Sequence, residues 1–508
     1  MSLTLFGACE SELDLSPEDD RQGAEEIFRD AAAYKQFLAK LYAGLAVSGQ
    51  EGPAGDADLS GLDEGFSQYL RLYWMLQELP TDEAVIGWND GTIADLHGQN
   101  WTSGNEFIRT MYSRILYQVA QTNAFLRQTE GTENAEVQNF RAEARFLRAL
   151  SYYHALDLFG NPPFITENDP IGAFLPPQIE RADLFDFIES ELLDIENSIV
   201  AAGQNEYGRA DQAAVWFLLA KLYLNAEQYN GTDHYADVIT YTEKIINSGQ
   251  FQLVDDYQKL FLADNDLNGA QKEIIFPIRF DGINTLSYGG MTFIINAALD
   301  GDMADLYGVP DGGWAGLRTT PEFVNLFPGG ANSADEREMF WTDGHTLEIS
   351  TISSFTDGYA ITKFKNLDSN GNPGQDKVFP DTDFPLFRLG DVYLMYAEAV
   401  LRGGGGSRAQ ALGYINELRD RAYSVPGGTV NDSQLTLDFI LAERGRELYW
   451  EAKRRTDLIR FGQFTTSGTW AWKGNVPQGT TTAAFRNIFP IPASDLGVNT
   501  NLTQNPGY

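Results

Sequence analysis

The sequence predicts a mainly α-helical fold: a tetratricopeptide-like helical repeat scaffold with a long irregular, loop-rich insertion and a few short strands. Three observations predict it. Asn134 to Phe159 carries apolar or small residues at Val137, Phe140, Ala144, Leu147, Ser151, Ala155 and Leu158, steps of three and four that draw one stripe down a helix. A large–small spacing recurs at Trp216, Leu219, Ala220 and Tyr223, followed by Ala236 and Tyr241, and again at Tyr393, Tyr396, Ala397 and Val400, followed by Ala409. Phe146, Ala149, Leu150 and Tyr153 form a weaker third copy. Small residues at a crossing let antiparallel helices approach, and large ones fill the groove of the next pair. Between 250 and 385, by contrast, Gly, Asn and Asp with isolated aromatics replace periodicity.

Taken in order, the chain opens on small and apolar residues as far as Cys9, then turns acidic (Glu10, Glu12, Asp14, Glu18, Asp19, Asp20). A helix is expected over 24–45 and another over 66–79, ended by Pro80. Residues 80–105 hold Gly, Asn, Asp and two tryptophans without periodicity, a long loop of the kind that carries function. The helix from Asn134 stops at Gly160-Asn161-Pro162-Pro163, where proline lacks the amide donor and glycine accepts a left-handed cap. Further helices are expected over 181–201, 211–228 and 234–247, and a short strand over 273–279. Helix returns over 387–401, breaks at Gly403 to Gly406, and resumes over 409–421 and 437–461, before a Pro- and Asn-rich tail.

Composition excludes several classes. Asp and Glu number 72 against 36 Lys and Arg, a formal charge of -36, which repels phosphate backbones and anionic lipid alike and excludes nucleic acid as a partner. At 43% hydrophobic the chain can bury a large core, so it is folded. The single cysteine can form neither an intramolecular disulfide nor a cysteine zinc cluster, and His97, His154, His234 and His345 include no i, i+4 pair for a metal. No run after the first residues reaches the ~18 apolar residues of a membrane span.

Phe6-Gly7-Ala8-Cys9 is similar to a bacterial lipobox, although Phe stands where Leu, Val or Ile is preferred and the basic region and full apolar stretch are missing. Acylation and an inert cysteine both fit that stretch. Asp368-Ser-Asn-Gly-Asn-Pro-Gly-Gln-Asp376 places oxygen side chains at Asp368, Asn370, Asn372 and Asp376, like the start of a calcium loop, but Phe379 occupies the twelfth position where a glutamate belongs. Calcium and a plain Asx turn are the two readings there. Glu443, Glu447 and Glu451 share a helical face with Arg444, Arg454, Arg455, Asp457 and Arg460 nearby. Paired carboxylates suggest a glycosidase, yet a helix so rich in arginine reads as a structural ion network. No G-x-S-x-G, H-E-x-x-H or P-loop pattern occurs, and the chain is read as no enzyme.

Four segments carry a resemblance. They are Phe140-Arg-Ala-Glu-Ala-Arg-Phe-Leu-Arg-Ala-Leu-Ser-Tyr-Tyr153 running into Leu158-Phe-Gly-Asn-Pro-Pro163; Phe384-Pro-Leu-Phe-Arg-Leu-Gly-Asp-Val-Tyr-Leu-Met-Tyr-Ala-Glu-Ala399; Glu443-Arg-Gly-Arg-Glu-Leu448 with Arg454-Arg-Thr-Asp-Leu-Ile-Arg-Phe-Gly462; and Pro490-Ile-Pro492 with the terminal Asn501-Leu-Thr-Gln-Asn-Pro-Gly-Tyr508. Together, in this order, they resemble the RagB/SusD family of Bacteroidetes outer-membrane glycan-binding lipoproteins. The resemblance implies a signal-peptide remnant over 1–8, a flexible acidic leader over 9–23 and a single SusD-like domain over 24–508, divided into an N-terminal half (24–250), the insertion (251–385) and a C-terminal helical part (386–508). It further implies lipid attachment at Cys9, cell-surface display on the outer membrane, no catalysis, and delivery of an oligosaccharide to a SusC-like TonB-dependent transporter. A glycoside hydrolase and a peptide-binding tetratricopeptide scaffold are the alternatives.

Sugars offer apolar C–H faces ringed by hydroxyls, so a glycan surface needs exposed aromatic platforms beside planar polar groups. Loop tryptophans flanked by glycine and polar residues fit: Trp88 with Asp90, Trp101 with Asn105, and Trp314. Tyr288 beside Gly289-Gly290, and Tyr307 before Gly308, complete the candidates. The family's ligand surface is similar to an aromatic arc built from an early loop and the insertion, the segments these residues occupy. A mild preference for a neutral glycan follows from the charge.

Overall fold

A computed structural model describes residues 30–424 and 427–508. Cys9, the acidic leader and the segment before it lie outside the described residues. Helices of seven residues or more are numbered here in chain order.

Helix α1 (Ala31–Ala46) begins where the Asp30 carboxylate accepts the Ala33 amide. After α2 (Tyr69–Glu78) the expected loop contains strand β1 (Val85–Ile86) and one short turn of helix, Ala94–His97. Helix α3 (Glu106–Gln128) adds to the expected elements: its inner face carries Ile108, Met111, Ile115, Val119 and Leu126, an apolar stripe with a buried polar row beside it. Thr110, Arg114, Gln118 and Thr122 are buried at every fourth position, and each donates to a backbone carbonyl: Gln118 to Leu41 O at 2.6 Å and Arg114 to Ser48 O at 2.7 Å, with Thr110 on Glu106 O and Thr122 on Gln118 O.

Helix α4 (Ala135–Phe159) runs as predicted, capped by Asn134, whose side chain accepts from the Glu136 and Val137 amides, and stopped at Gly160 with φ 71°. Then follow α5 (Arg181–Ile195), α6 (Gln212–Leu224, capped by Asp211) and α7 (Tyr235–Asn247), with α5 and α6 ending earlier than expected. The insertion contributes β2 (Ile274–Ile278), α8 (Gly290–Asn296), β3 (Leu317–Arg318), β4 (Phe340–Trp341) and β5 (Ala360–Ile361) among turns and short 3-10 segments.

Strand β6 (Phe384–Arg388) precedes α9 (Leu389–Leu401) and α10 (Arg408–Ala422). Phe387 and Arg388, expected to open a helix, instead pair with β2 in an antiparallel register of Ile274 with Arg388 and Ile278 with Phe384. The expected helix over 437–461 is two, α11 (Leu437–Leu448) and α12 (Arg454–Arg460). Between them Tyr449 is extended, and Trp450 and Ala452 take φ 61° and 57°. Tertiary contacts hold that turn: the Trp450 ring meets Trp74 edge-on at 5.1 Å, and its backbone and indole N–H groups bond Glu83. Trp450 is buried, whereas Trp216 is only half-buried, its Nε1 on Glu196.

The helices pack as antiparallel pairs laid side by side. Helix α4 contacts α1, α3 and α5; α6 packs on α7, α7 on α9, and α9 on α10. The two repeated spacings therefore mark the helix pairs they predicted, with Leu219, Ala220, Tyr396 and Ala397 fully buried at the crossings. Among the described residues no helix is long and apolar enough to cross a membrane.

Candidate functional site

The insertion returns to the early loop and makes one continuous surface with it. Strand β1 pairs antiparallel with β3, Val85 opposite Arg318 and Ile86 opposite Leu317, and Gly87 N continues the ladder to Gly316 O at 2.9 Å. That pairing carries Trp88 onto the insertion, where its indole N–H donates to Ala315 O at 2.9 Å. Gly316 (φ 109°) lies beneath the ring, and a Cβ there would come within 2.2 Å of Trp88 Nε1. Trp314 is held by its own amide on Asn296 O at 2.7 Å, at the end of α8. Tyr288 is anchored by its amide on Glu64 Oε2 at 2.9 Å.

These three rings form a run. Trp88 and Trp314 centroids are 6.4 Å apart, Trp314 and Tyr288 6.2 Å, and Tyr288 and Phe379 5.3 Å. Phe293 supports Trp88 from α8, edge-on at 5.8 Å. Trp88 and Trp314 are half-buried, and Tyr288 keeps 39% of its surface exposed, so each ring is fixed by the protein and still open to solvent. Asp90 is exposed on the Trp88 loop.

The structure separates the other candidates from this run. Trp101 is 1% exposed and cannot stack on a ligand: its indole donates to the Tyr508 hydroxyl at 2.6 Å, its ring packs on Phe489 at 4.7 Å, and Arg486 lies over it. Its partners are the chain's last residues, which it fastens to the body. Asn105 is buried as the cap of α3, accepting from Phe107 and Ile108 amides at 3.1 Å and donating to Thr92 O at 3.0 Å; it braces the Trp88 loop and is not offered to a ligand. Tyr307 pairs with Trp341, edge-on at 6.2 Å.

Sequence reasoning missed Arg71. This α2 side chain lies over the Phe293 ring, 4.3 Å from its centroid, and its buried Nε has no hydrogen-bond partner. Burial draws its pKa down to about 10 against the opposing pull of Asp63, Asp90 and Glu64, so it is charged at neutral pH. A half-buried guanidinium beside stacked aromatics suits a pair of neighbouring hydroxyls. Only the fold brings Arg71 next to the ring that supports Trp88.

Comparison with known proteins gives this surface a family. A model described as "SusD family" matches residues 331–508, and one described as "Starch-binding associating with outer membrane" matches 72–224. The starch-binding protein SusD of Bacteroides thetaiotaomicron is 38% identical over an alignment of 547 residues, covering 99% of this chain and 96% of that protein. The chain belongs to the SusD family. A SusD-like protein of Formosa agariphila is 25% identical, covering 82% of each chain. Among solved structures, a SusD superfamily protein from Parabacteroides distasonis superposes with a TM-score of 0.73 at 24% identity, covering 96% of this chain and all of that one. Surface glycan-binding protein A of B. thetaiotaomicron, solved in complex with laminarihexaose, superposes at 0.71 with 18% identity, covering 93% of this chain and 99% of that one.

The segment matched by the SusD family model also holds the acidic helix face, and here the carboxylates are structural. Glu443 accepts from Arg337, Arg419 and Arg446, each at 2.7 Å; Glu447 from Arg337 at 2.9 Å, Arg388 at 2.7 Å and Arg421; Glu451 from Arg388 at 2.7 Å and Lys363 at 2.8 Å. All three carboxylates are fully buried. Burial alone would raise Glu443, but Arg337, Arg446 and Arg419 outweigh it and hold the pKa at about 2; Arg421, Arg388 and Arg337 likewise hold Glu447 far below the usual range. A glycosidase acid needs a retained proton and an open sugar site, and these groups have neither.

In the 368–376 loop, Asp368 accepts from the Asn370 and Asn372 amides, both at 2.8 Å, and from the Asn372 side chain at 2.9 Å; Asp376 accepts from Val378 and Phe379 amides. This is the hydrogen bonding of an Asx turn. Among the described residues no group of three or more His, Cys, Asp or Glu side chains is gathered for a metal.

Proposed function

We propose that this SusD-family protein is a non-enzymatic, surface-held glycan-binding protein whose Trp88–Trp314–Tyr288 arc takes a starch-type α-glucan. The observation that carries the reading is the arc: three rings from distant segments, fixed from below and open above, beside the Arg71 guanidinium and the Asp90 carboxylate. A run of platforms, each tilted by about 50° from the next, suits the turning apolar faces of an α-glucan, and the flanking ionic groups suit its hydroxyls. The starch-binding relative supports the choice of glycan. The protein binds modestly and releases its cargo to a SusC-like TonB-dependent transporter, and acylation of Cys9 holds it on the outer membrane, which a net charge of -36 does not oppose because attachment is covalent.

Calorimetric titration with maltoheptaose tests this. Trp88→Ala and Trp314→Ala are each expected to weaken binding at least ~10-fold, in line with a stacked aromatic at the centre of an interface. Arg71→Ala should give a smaller loss. Unchanged affinity in both tryptophan variants would contradict the reading, and release of reducing sugar by the unmodified protein would return the hydrolase alternative.

A further inference from the structure

Beside the loop that presents Tyr288 lies a cavity of about 540 Å³, between α1 and α3. We propose that it is a second carbohydrate site, taking one or two neutral sugar units. The proposal rests on the glycan-binding reading and extends it to a part of the surface that reading does not use.

The chemistry of the walls carries it. Helix α3 supplies the half-buried Tyr117 ring with Gln118 and Gln121, α1 supplies Lys40, and the following loop supplies Asp58. Gln118 is locked by its donation to Leu41 O at 2.6 Å, and its amide oxygen lies over Gly44, where a Cβ would come within 2.4 Å. Glycine at that wall position leaves room for an oriented acceptor. Asp58 faces Arg114, a guanidinium that is 1% exposed and bonded to Ser48 O and to Ser67, but whose Nη1 has no hydrogen-bond partner and stands 3.9 Å from Asp58 Oδ2. The buried Arg114 charge, at ion-pair distance, holds the Asp58 carboxylate at the cavity wall.

The class of ligand follows from what this set excludes. An apolar ligand would strand the amides and Asp58 without water. An anion would meet one lysine against one aspartate in a strongly acidic protein. A sugar ring offers one apolar face to Tyr117 and vicinal hydroxyls to Gln118, Gln121 and Asp58, and the volume falls within the ~300–1,000 Å³ of small-molecule sites.

Position ties the cavity to the arc. Ile283, Asn284 and Leu286 line it, and two residues later the same loop presents Tyr288. Asn284 and Tyr288 are four residues apart, so their Cα atoms are at most ~14 Å from each other.

The test is titration of maltoheptaose into four forms of the protein: unmodified, W88A/W314A, Y117A/Q121A, and all four substitutions together, with circular dichroism confirming the fold. W88A/W314A should retain a weaker, saturable heat that disappears when Y117A/Q121A is added. Q121A alone, a half-exposed position, should weaken that residual binding at least threefold and guards against a folding defect in the double variant. If W88A/W314A shows no residual binding and Y117A/Q121A binds like the unmodified protein, the cavity proposal is overturned while the arc stands. If W88A/W314A binds undiminished and Y117A/Q121A abolishes binding, the arc reading fails and the cavity is the site.

Discussion

Trp88 and Trp101 look alike in the sequence, each among polar residues and glycine, and the fold gives them opposite roles. Trp88 reaches the open arc through the β1–β3 pairing, while Trp101 is closed over by Phe489 and Tyr508. The difference is set by a partner 407 residues away in the chain, beyond what local composition reports. Substitution should separate them. Trp101→Ala removes a buried ring and its hydrogen bond, with an expected loss of ~3–5 kcal/mol in urea unfolding, whereas Trp314→Ala should cost much less stability and show its effect in glycan affinity. An equal stability loss in both would contradict the distinction between brace and platform. Glycine and polar neighbours surround Trp88, Trp314 and Tyr288, which stay partly open, and equally Trp101, which is buried, so local composition alone does not separate platform from brace. Asn105 was misread because a helix cap and a sugar contact call for the same side chain.

At the scale of elements, the helix pairs were legible wherever apolar or small residues set the period, as in α4, α6 and α9. Two features were not. Helix α3 mixes its apolar stripe with a buried polar row, and the turn between α11 and α12 depends on Trp450 meeting Trp74 and Glu83 from α2 and the loop after it. The ion network was read correctly as structural, but its reach was not. Arg388 at the end of β6 bonds Glu273, Glu447 and Glu451, and Arg337 joins the insertion to α11 through Glu443 and Glu447. The network therefore joins the irregular segment to the helical scaffold. Arg388→Ala leaves three buried carboxylates short of a partner and should destabilise the protein by ~3–5 kcal/mol, measured by chemical unfolding. A loss below ~1 kcal/mol would mean the insertion is held by its apolar contacts alone.

For the whole molecule, the excess of acid sets how stability follows pH. Glu443 has a folded pKa of about 2 against an ordinary 4.5, so its contribution is complete above ~4.5 and is lost as pH falls from there through about 2. Burial acts the other way on Glu78 and Asp383, raised to about 7, and on Asp211, raised to about 6; ionising them costs stability as pH climbs from ~4 to ~7. Self-repulsion of a -36 chain has the same sign. Buried His97, lowered to about 4, and His154 oppose that fall, since each loses stability as pH drops below ~6.5. The unfolding temperature should therefore drop on the acid side, from pH ~4.5 toward ~3, where Glu443 and both histidines act together, as fluorimetry reads directly; an unchanged value over that range would contradict it. The central claim concerns the surface this scaffold holds, and a crystal structure with maltoheptaose tests it most directly. Glucose rings stacked along Trp88, Trp314 and Tyr288, with a hydroxyl on Arg71, are the predicted result; ordered sugar elsewhere with the three rings bare would contradict the account.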